Sequence, residues 1–197
     1  MEAQLLAACG TLKALPTSDL PEIAIVGRSN CGKSSLINAI TARRRLARTS
    51  STPGRTRQLF FYRVTAPARP PFVLVDLPGY GYAKAPKSER DAWAPLIEGY
   101  IEERRQLRAL LVLCDVRRDL GPDEAGLLTW AGARELERRV VLTKADKLSK
   151  AQRFGAAERA KAALGLAARP LLVSTEDDAS IEALREAVYQ FASAATP

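Results

Sequence analysis

A three-layer α/β domain is the predicted fold, with a mostly parallel six-stranded sheet, one antiparallel edge strand and helices on both faces. Three observations predict it. Short apolar runs alternate with amphipathic segments from Ile23 to the C-terminus, the pattern of helices packed on a mostly parallel sheet. The octapeptide Gly27-Arg28-Ser29-Asn30-Cys31-Gly32-Lys33-Ser34 stands between one such run and a helical pattern. Asp76 and the segment Thr143–Asp146 each follow another apolar run, at the strand ends where open α/β sheets bind ligands.

The elements follow in order. Ile23–Val26 reads as a buried strand and Lys33–Ala42 as the helix after it. Leu59–Val64 and Phe72–Val75 read as strands joined only by Thr65 to Pro71, too short for a helical crossover, so they should form an antiparallel hairpin. Phe60-Phe61-Tyr62 could stack bases, but alternation within a strand favours core packing. Further strands are expected over Ala109–Cys114, Val140–Leu142 and Leu171–Val173, and helices over Asp91–Arg105, Pro122–Glu137, Lys150–Leu164 and Ser180–Ala194. Pro122 suits a first helical position and Ser180 an N-cap. Arg43 to Arg57 and Leu77 to Arg90 are polar, rich in Gly, Pro and Ser, and longer than ordinary connections. Residues 1–20 read as an N-terminal extension packing on the core, and residues 21–197 as the domain itself. No internal repeat marks a second domain.

Composition excludes several chemistries. The 197 residues contain no histidine, which removes a Ser-His-Asp triad, histidine metal ligation and imidazole base catalysis. Cys9, Cys31 and Cys114 have no pairing or metal-ligand spacing, as expected of a reducing cytoplasm. No secretory signal or membrane-length apolar run is visible. The net charge of +8 points to a polyanionic partner.

The octapeptide fits G-x-x-x-x-G-K-[ST], and its strand–loop–helix setting gives the pattern a mechanism. Backbone N–H groups of such a loop wrap an anion at the positive end of a helix dipole. Lys33 would reach the β- and γ-phosphates, and the Ser34 hydroxyl would hold Mg²⁺. Ser35 follows directly. In Asp76-Leu77-Pro78-Gly79, Asp76 would orient Mg²⁺ through a water, and the Gly79 N–H would sense the γ-phosphate. Thr143-Lys144-Ala145-Asp146 would read the base. Guanine presents N1–H and N2–H₂ together, and one carboxylate accepts both; adenine offers no such pair. Asp146 therefore argues for GTP, with the Lys144 stem over the base plane. Thr143 replaces the usual Asn of this motif, its hydroxyl still able to make a backbone tie. Ser174 and Thr175 would pack on the other side of the base. The Mg²⁺ shell needs a hydroxyl from a mobile loop, and Thr56 of Thr52-Pro53-Gly54-Arg55-Thr56 is the choice, with Thr49 and Thr52 as fallbacks. The two long loops then become nucleotide-dependent switches.

On these residues the chain resembles the EngB (YihA/YsxC-like) family of bacterial GTPases, of the TrmE-Era-EngA-EngB-septin-like class. The segments that carry the resemblance are GRSNCGKSS over 27–35, TPGRT over 52–56, DLPGYGYAK over 76–84, Asp115-Val116-Arg117, and TKAD over 143–146. Cys31, Arg57 and Ser174–Asp178 depart from the family pattern. The resemblance implies a Ras-like P-loop G domain that binds GTP and GDP with Mg²⁺ and takes part in assembling the large (50S) ribosomal subunit, and so in growth and division. It implies the ribosomal large-subunit precursor and its rRNA as partners, with no membrane partner, no DNA specificity and a monomeric, cytoplasmic protein.

Many GTPases place a water-orienting Gln directly after D-x-x-G; here that position is Tyr80, so hydrolysis should be slow. Asn30 could instead help hold K⁺ beside the phosphates, supplying charge where an arginine finger otherwise would. Its plainer role is to tolerate a left-handed turn. Basic residues fall on the long loops, with Arg43, Arg44, Arg45, Arg48, Arg55 and Arg57 on the first and Lys84, Lys87 and Arg90 on the second. Loops so charged could couple salt-sensitive RNA affinity to the nucleotide; equally, Arg43–Arg45 could merely complement a helix C-terminus. Tyr80 and Tyr82 are candidates for partner contact. A small-molecule kinase or ATPase, a GTP-occupied binding module that hardly hydrolyses, and a tRNA-modification G domain are the rival readings.

Overall fold

The computed structural model describes residues 1–47, 58–79 and 87–194, with side chains for all of these except 87–94. Its strands are β1 (Glu2–Cys9), β2 (Glu22–Gly27), β3 (Leu59–Ala66), β4 (Arg69–Asp76), β5 (Leu107–Asp115), β6 (Glu137–Thr143) and β7 (Leu171–Leu172). Its helices are α1 (Lys33–Ile40), α2 (Lys87–Glu103), α3 (Pro122–Gly132), α4 (Lys150–Ala163) and α5 (Asp178–Ser193). The strands form one sheet in the order β1-β3-β4-β2-β5-β6-β7.

β2 lies at the centre, parallel to β4 on one side and β5 on the other. All six of its residues are buried, which explains why it reads as an unbroken apolar run rather than an alternation. Its period of two sorts the core into layers. Ala24 and Val26 face one cluster with Leu96, Ile97 and Tyr100 of α2, Leu128 of α3 and Ala156 and Ala160 of α4. Ile23 and Ile25 face the other, with Leu36, Ile37 and Ile40 of α1 and Leu184 and Val188 of α5. Helices therefore cover both faces, as expected.

The sheet has seven strands where six were expected. Glu2–Cys9 pairs antiparallel with β3, setting Ala3 opposite Val64 and Cys9 opposite Leu59. β3 is thus internal, antiparallel to both neighbours, and β1 is the edge. Most of β1 is exposed, including Leu5 and Leu6, so it carries no alternation that would mark it as a strand. The expected hairpin is present. Phe61 and Tyr62 are core residues, Phe61 packing edge-on against Tyr100 with ring centroids 5.9 Å apart.

Several element ends also move. The helix expected over 122–137 stops at Gly132, because Glu135 adopts a positive φ of 56° and Glu137 opens β6. α2 begins at Lys87 rather than Asp91. Asp177, not Ser180, caps α5, its carboxylate accepting from Ala179 N at 3.2 Å. The Ser180 hydroxyl instead lies 2.8 Å from Asp177 O and 3.1 Å from Ser174 O. Pro122 does open α3, and Glu124 Oε2 accepts the Gly121 N–H at 2.8 Å.

One buried carboxylate fastens the amino end of β2. Glu22, fully buried, accepts from Tyr100 Oη at 2.9 Å and from Arg104 Nη2 at 2.6 Å. Arg104 Nη2 also donates to Pro16 O at 2.8 Å, which ties α2, β2 and the N-terminal segment together. Removing one partner of a buried pair strands the other charge. Glu22→Ala should therefore destabilise the fold by about 3 to 5 kcal/mol, read as a lower urea midpoint with an unchanged slope.

Candidate functional site

The carboxyl ends of the parallel strands β2, β4, β5, β6 and β7 meet along one edge, and the predicted residues gather there. β2 ends at Gly27 between β4 and β5. A Cβ on Gly27 would lie 2.6 Å from Cys31 Sγ and 2.8 Å from Leu113 O, so no side chain fits. The chain turns back over its own strand end, with Asn30 and Gly32 at φ 62° and 96°. It enters α1 at Lys33, whose first free N–H groups face the loop. The left-handed turn expected of Asn30 is thus present. Cys31 is buried, and burial raises its thiol pKa; this is a packed residue with an inert sulfur.

β4 delivers Asp76 beside this loop. Register places Asp76 opposite Ile25, and Leu77 N donates to Ile25 O at 3.0 Å. The carboxylate is ion-paired with Lys33 Nζ. Burial raises the Asp76 pKa, with Lys33 pulling the other way. Leu77 and Pro78 are buried. Gly79 packs against the start of the loop, since a Cβ there would lie 3.2 Å from both Gly27 O and Ser29 Oγ. Ser29 Oγ is itself buried and has no hydrogen-bond partner among the described residues. Ser34 is half-buried and Ser35 exposed on the first turn of α1.

β6 brings Thr143 to the same edge. Its hydroxyl lies 2.6 Å from Cys31 O and 3.2 Å from Cys114 O, tying the turning loop to β5 and β6. The substitution of Thr for Asn thus keeps a loop-holding donor, and Cys31 O is the nearer acceptor. Lys144 reaches over the loop to donate to Asn30 O at 2.7 Å. Asp146 stands apart on a short 3₁₀ turn, Ala145–Lys147. Its carboxylate accepts from Ser174 Oγ at 2.8 Å and pairs with Lys147 Nζ at 2.7 Å. The Lys147 contact, then Ser174, lowers the Asp146 pKa. Ser174 is buried, with its hydroxyl donating to Asp146, and Thr175 is exposed.

Pro53, Gly54, Arg55 and Thr56, the fallbacks Thr49 and Thr52, and Tyr80 and Tyr82 lie outside the described residues. Asp115, which sequence reasoning noted only within a family motif, sits among the site residues and binds both Arg117 and Lys144. Its position directly after a strand was the available signal. A cavity of about 820 Å³ lies outside the loop, between α4 and residues 116–120. It contains none of the predicted site residues.

Residues 22–145 match the model of a family described as 50S ribosome-binding GTPase. A relative from Syntrophomonas wolfei subsp. wolfei, described as a probable GTP-binding protein EngB, is 38% identical over 179 residues, 91% of each chain. One from Geobacter sp. strain M21, with the same description, is 47% identical over 138 residues. That match covers 70% of this chain and 63% of the relative, so the chain spans under two thirds of that relative's length. A crystal structure of a probable GTP-binding protein engB superposes with a TM-score of 0.67 at 17% identity, over 87% of this chain and 98% of that one. Its fold is the same α/β P-loop G domain. By sequence, the chain belongs to the EngB family of GTP-binding GTPases.

Proposed function

We propose that this protein binds GTP and GDP with Mg²⁺, hydrolyses GTP slowly, and acts as a nucleotide-dependent switch in assembly of the large ribosomal subunit. The observation that carries the reading is the convergence of three groups on one sheet edge. These are the turning loop at Gly27–Ser34, Asp76 and Gly79 packed beside it, and a carboxylate at Asp146 set apart from both. Phosphates, metal and base of one nucleotide need that separation.

The residues fit the groups assigned to them. The Ser29 hydroxyl beside Gly79, without a hydrogen-bond partner among the described residues, fits a site completed by an anionic ligand. Ser34 and Asp76 offer the hard oxygens that Mg²⁺ takes. No cluster of three metal-ligating side chains occurs among the described residues; Mg²⁺ in such sites draws its other ligands from phosphates and water. Lys33 would meet the β- and γ-phosphates, Ser34 and Thr56 would hold the ion, and Asp76 would orient it through water. The ion, when bound, neutralises charge that develops on the phosphates. The Gly79 N–H would sense the γ-phosphate.

Base choice follows from Asp146. Its carboxylate can accept N1–H and N2–H₂ of guanine together, and inosine lacks the second donor. Inosine diphosphate should therefore bind about 10- to 100-fold more weakly than GDP, the worth of one charged hydrogen bond. Excess ATP should fail to displace labelled GDP. Equal competition by ATP would favour the kinase reading.

Tyr80 after D-x-x-G supports slow hydrolysis, and Asn30 at the loop supports a K⁺ contribution. Hydrolysis should be faster in K⁺ than in Na⁺ buffer of equal ionic strength. Equal rates would remove Asn30 from that role.

The partner reading rests on charge and on the family description. Arg43, Arg44 and Arg45 are exposed just beyond α1, at the start of the loop proposed as the first switch. Co-sedimentation with large ribosomal subunits should be stronger with a non-hydrolysable GTP analogue than with GDP, and should fall with Lys33→Ala. Binding that ignores both would overturn the switch.

A further inference from the structure

Asp115 closes β5 with a carboxylate only 1% exposed. The Arg117 backbone N–H and Nε donate to its Oδ1 at 3.1 and 2.9 Å, and Arg117 Nη2 donates to Oδ2 at 2.7 Å. Oδ2 also faces Lys144 Nζ at 3.0 Å. The same ammonium donates to Asn30 O at 2.7 Å, and its Cε lies 3.8 Å from where a Cβ on Gly32 would stand. Lys144 itself holds a left-handed backbone, φ 59°, a conformation that persists in a non-glycine residue only where surroundings over-determine it.

We infer that Asp115 is a positioning residue for nucleotide retention: it fixes the Lys144 ammonium against the Asn30 carbonyl and so straps the base-reading loop to the phosphate loop. This rests on the guanine-nucleotide reading above. A free lysine has a long, mobile stem; one held at both a buried carboxylate and a backbone carbonyl does not. Arg117 is the clamp on the clamp, because its two-pronged contact stops Asp115 from swinging away. A buried ion pair is weak support for stability by itself, whereas its geometry here joins two loops that must act on one ligand. The Arg117 contact, reinforced by Lys144, also holds the Asp115 pKa below the usual carboxylate range, so the strap is charged across neutral pH.

The test is a double-mutant cycle on release of a fluorescent GDP analogue, with Asp115→Asn, Lys144→Ala and the pair, plus urea unfolding without nucleotide. Each single variant should release GDP faster, on the order of 10-fold, as contacting pairs do. The double variant should release it no faster than Lys144→Ala alone. An Asp115→Asn effect that persists undiminished in the Lys144→Ala background overturns the inference. So does wild-type release from Asp115→Asn, with or without a loss of stability. If Asp115→Asn does not fold, Asp115→Glu keeps the charge and displaces it, and must still speed release in the Lys144 background only. Wild-type protein that binds no GDP would instead overturn the nucleotide reading, and this inference with it.

Discussion

The site depends first on the burial of β2 on both faces and between two parallel neighbours. Its backbone pairs with β4 up to Ile25 and with β5 up to Gly27, where Cys31 and Leu113 leave no space for a side chain. From there the chain has one way out. It must turn tightly over its own strand end and re-enter the domain as a helix packed on the sheet through Leu36, Ile37 and Ile40. The concave loop and the free N–H groups of α1 are consequences of that route. Core packing fixes where the cradle opens, and the loop's own Asn30 and Gly32 supply its turn.

Neighbouring strands then add one group each. Parallel pairing with β4 sets Asp76 beside Ile25, and pairing with β5 and β6 brings Asp115 and Thr143 level with one another. Because all these strands run the same way, their carboxyl ends collect on one edge. Fine adjustment comes from polar ties. Thr143 holds the Cys31 carbonyl, Lys144 holds the Asn30 carbonyl, and Ser174 holds the Asp146 carboxylate. A loop held by such ties can present its N–H groups without rebuilding when a ligand arrives, which is the energetic advantage of preorganisation.

Three of the buried acids share one pattern. Glu22 is matched by Arg104, Asp76 by Lys33, and Asp115 by Arg117 and Lys144. Unpaired, each would cost on the order of several kcal/mol. The overall +8 charge therefore lies mostly elsewhere, with Arg43 to Arg45 exposed beyond α1. Charge inside the domain sets geometry.

The sequence alone determined the α/β class, the turning loop and the carboxylates at the strand ends. Those features are local: a glycine spacing, an apolar run and the residue type that follows it fix both backbone shape and chemistry within a few positions. What depended on distant partners was decided only by the tertiary structure. β1 is a strand because β3 accepts it, not because its own pattern says so. Asp115 joins the site because β5 ends beside Lys144, 29 residues further on in the chain, and no spacing rule brings an acid and a lysine together at that distance. Short-range patterns specify what a segment can do; packing specifies which segments meet.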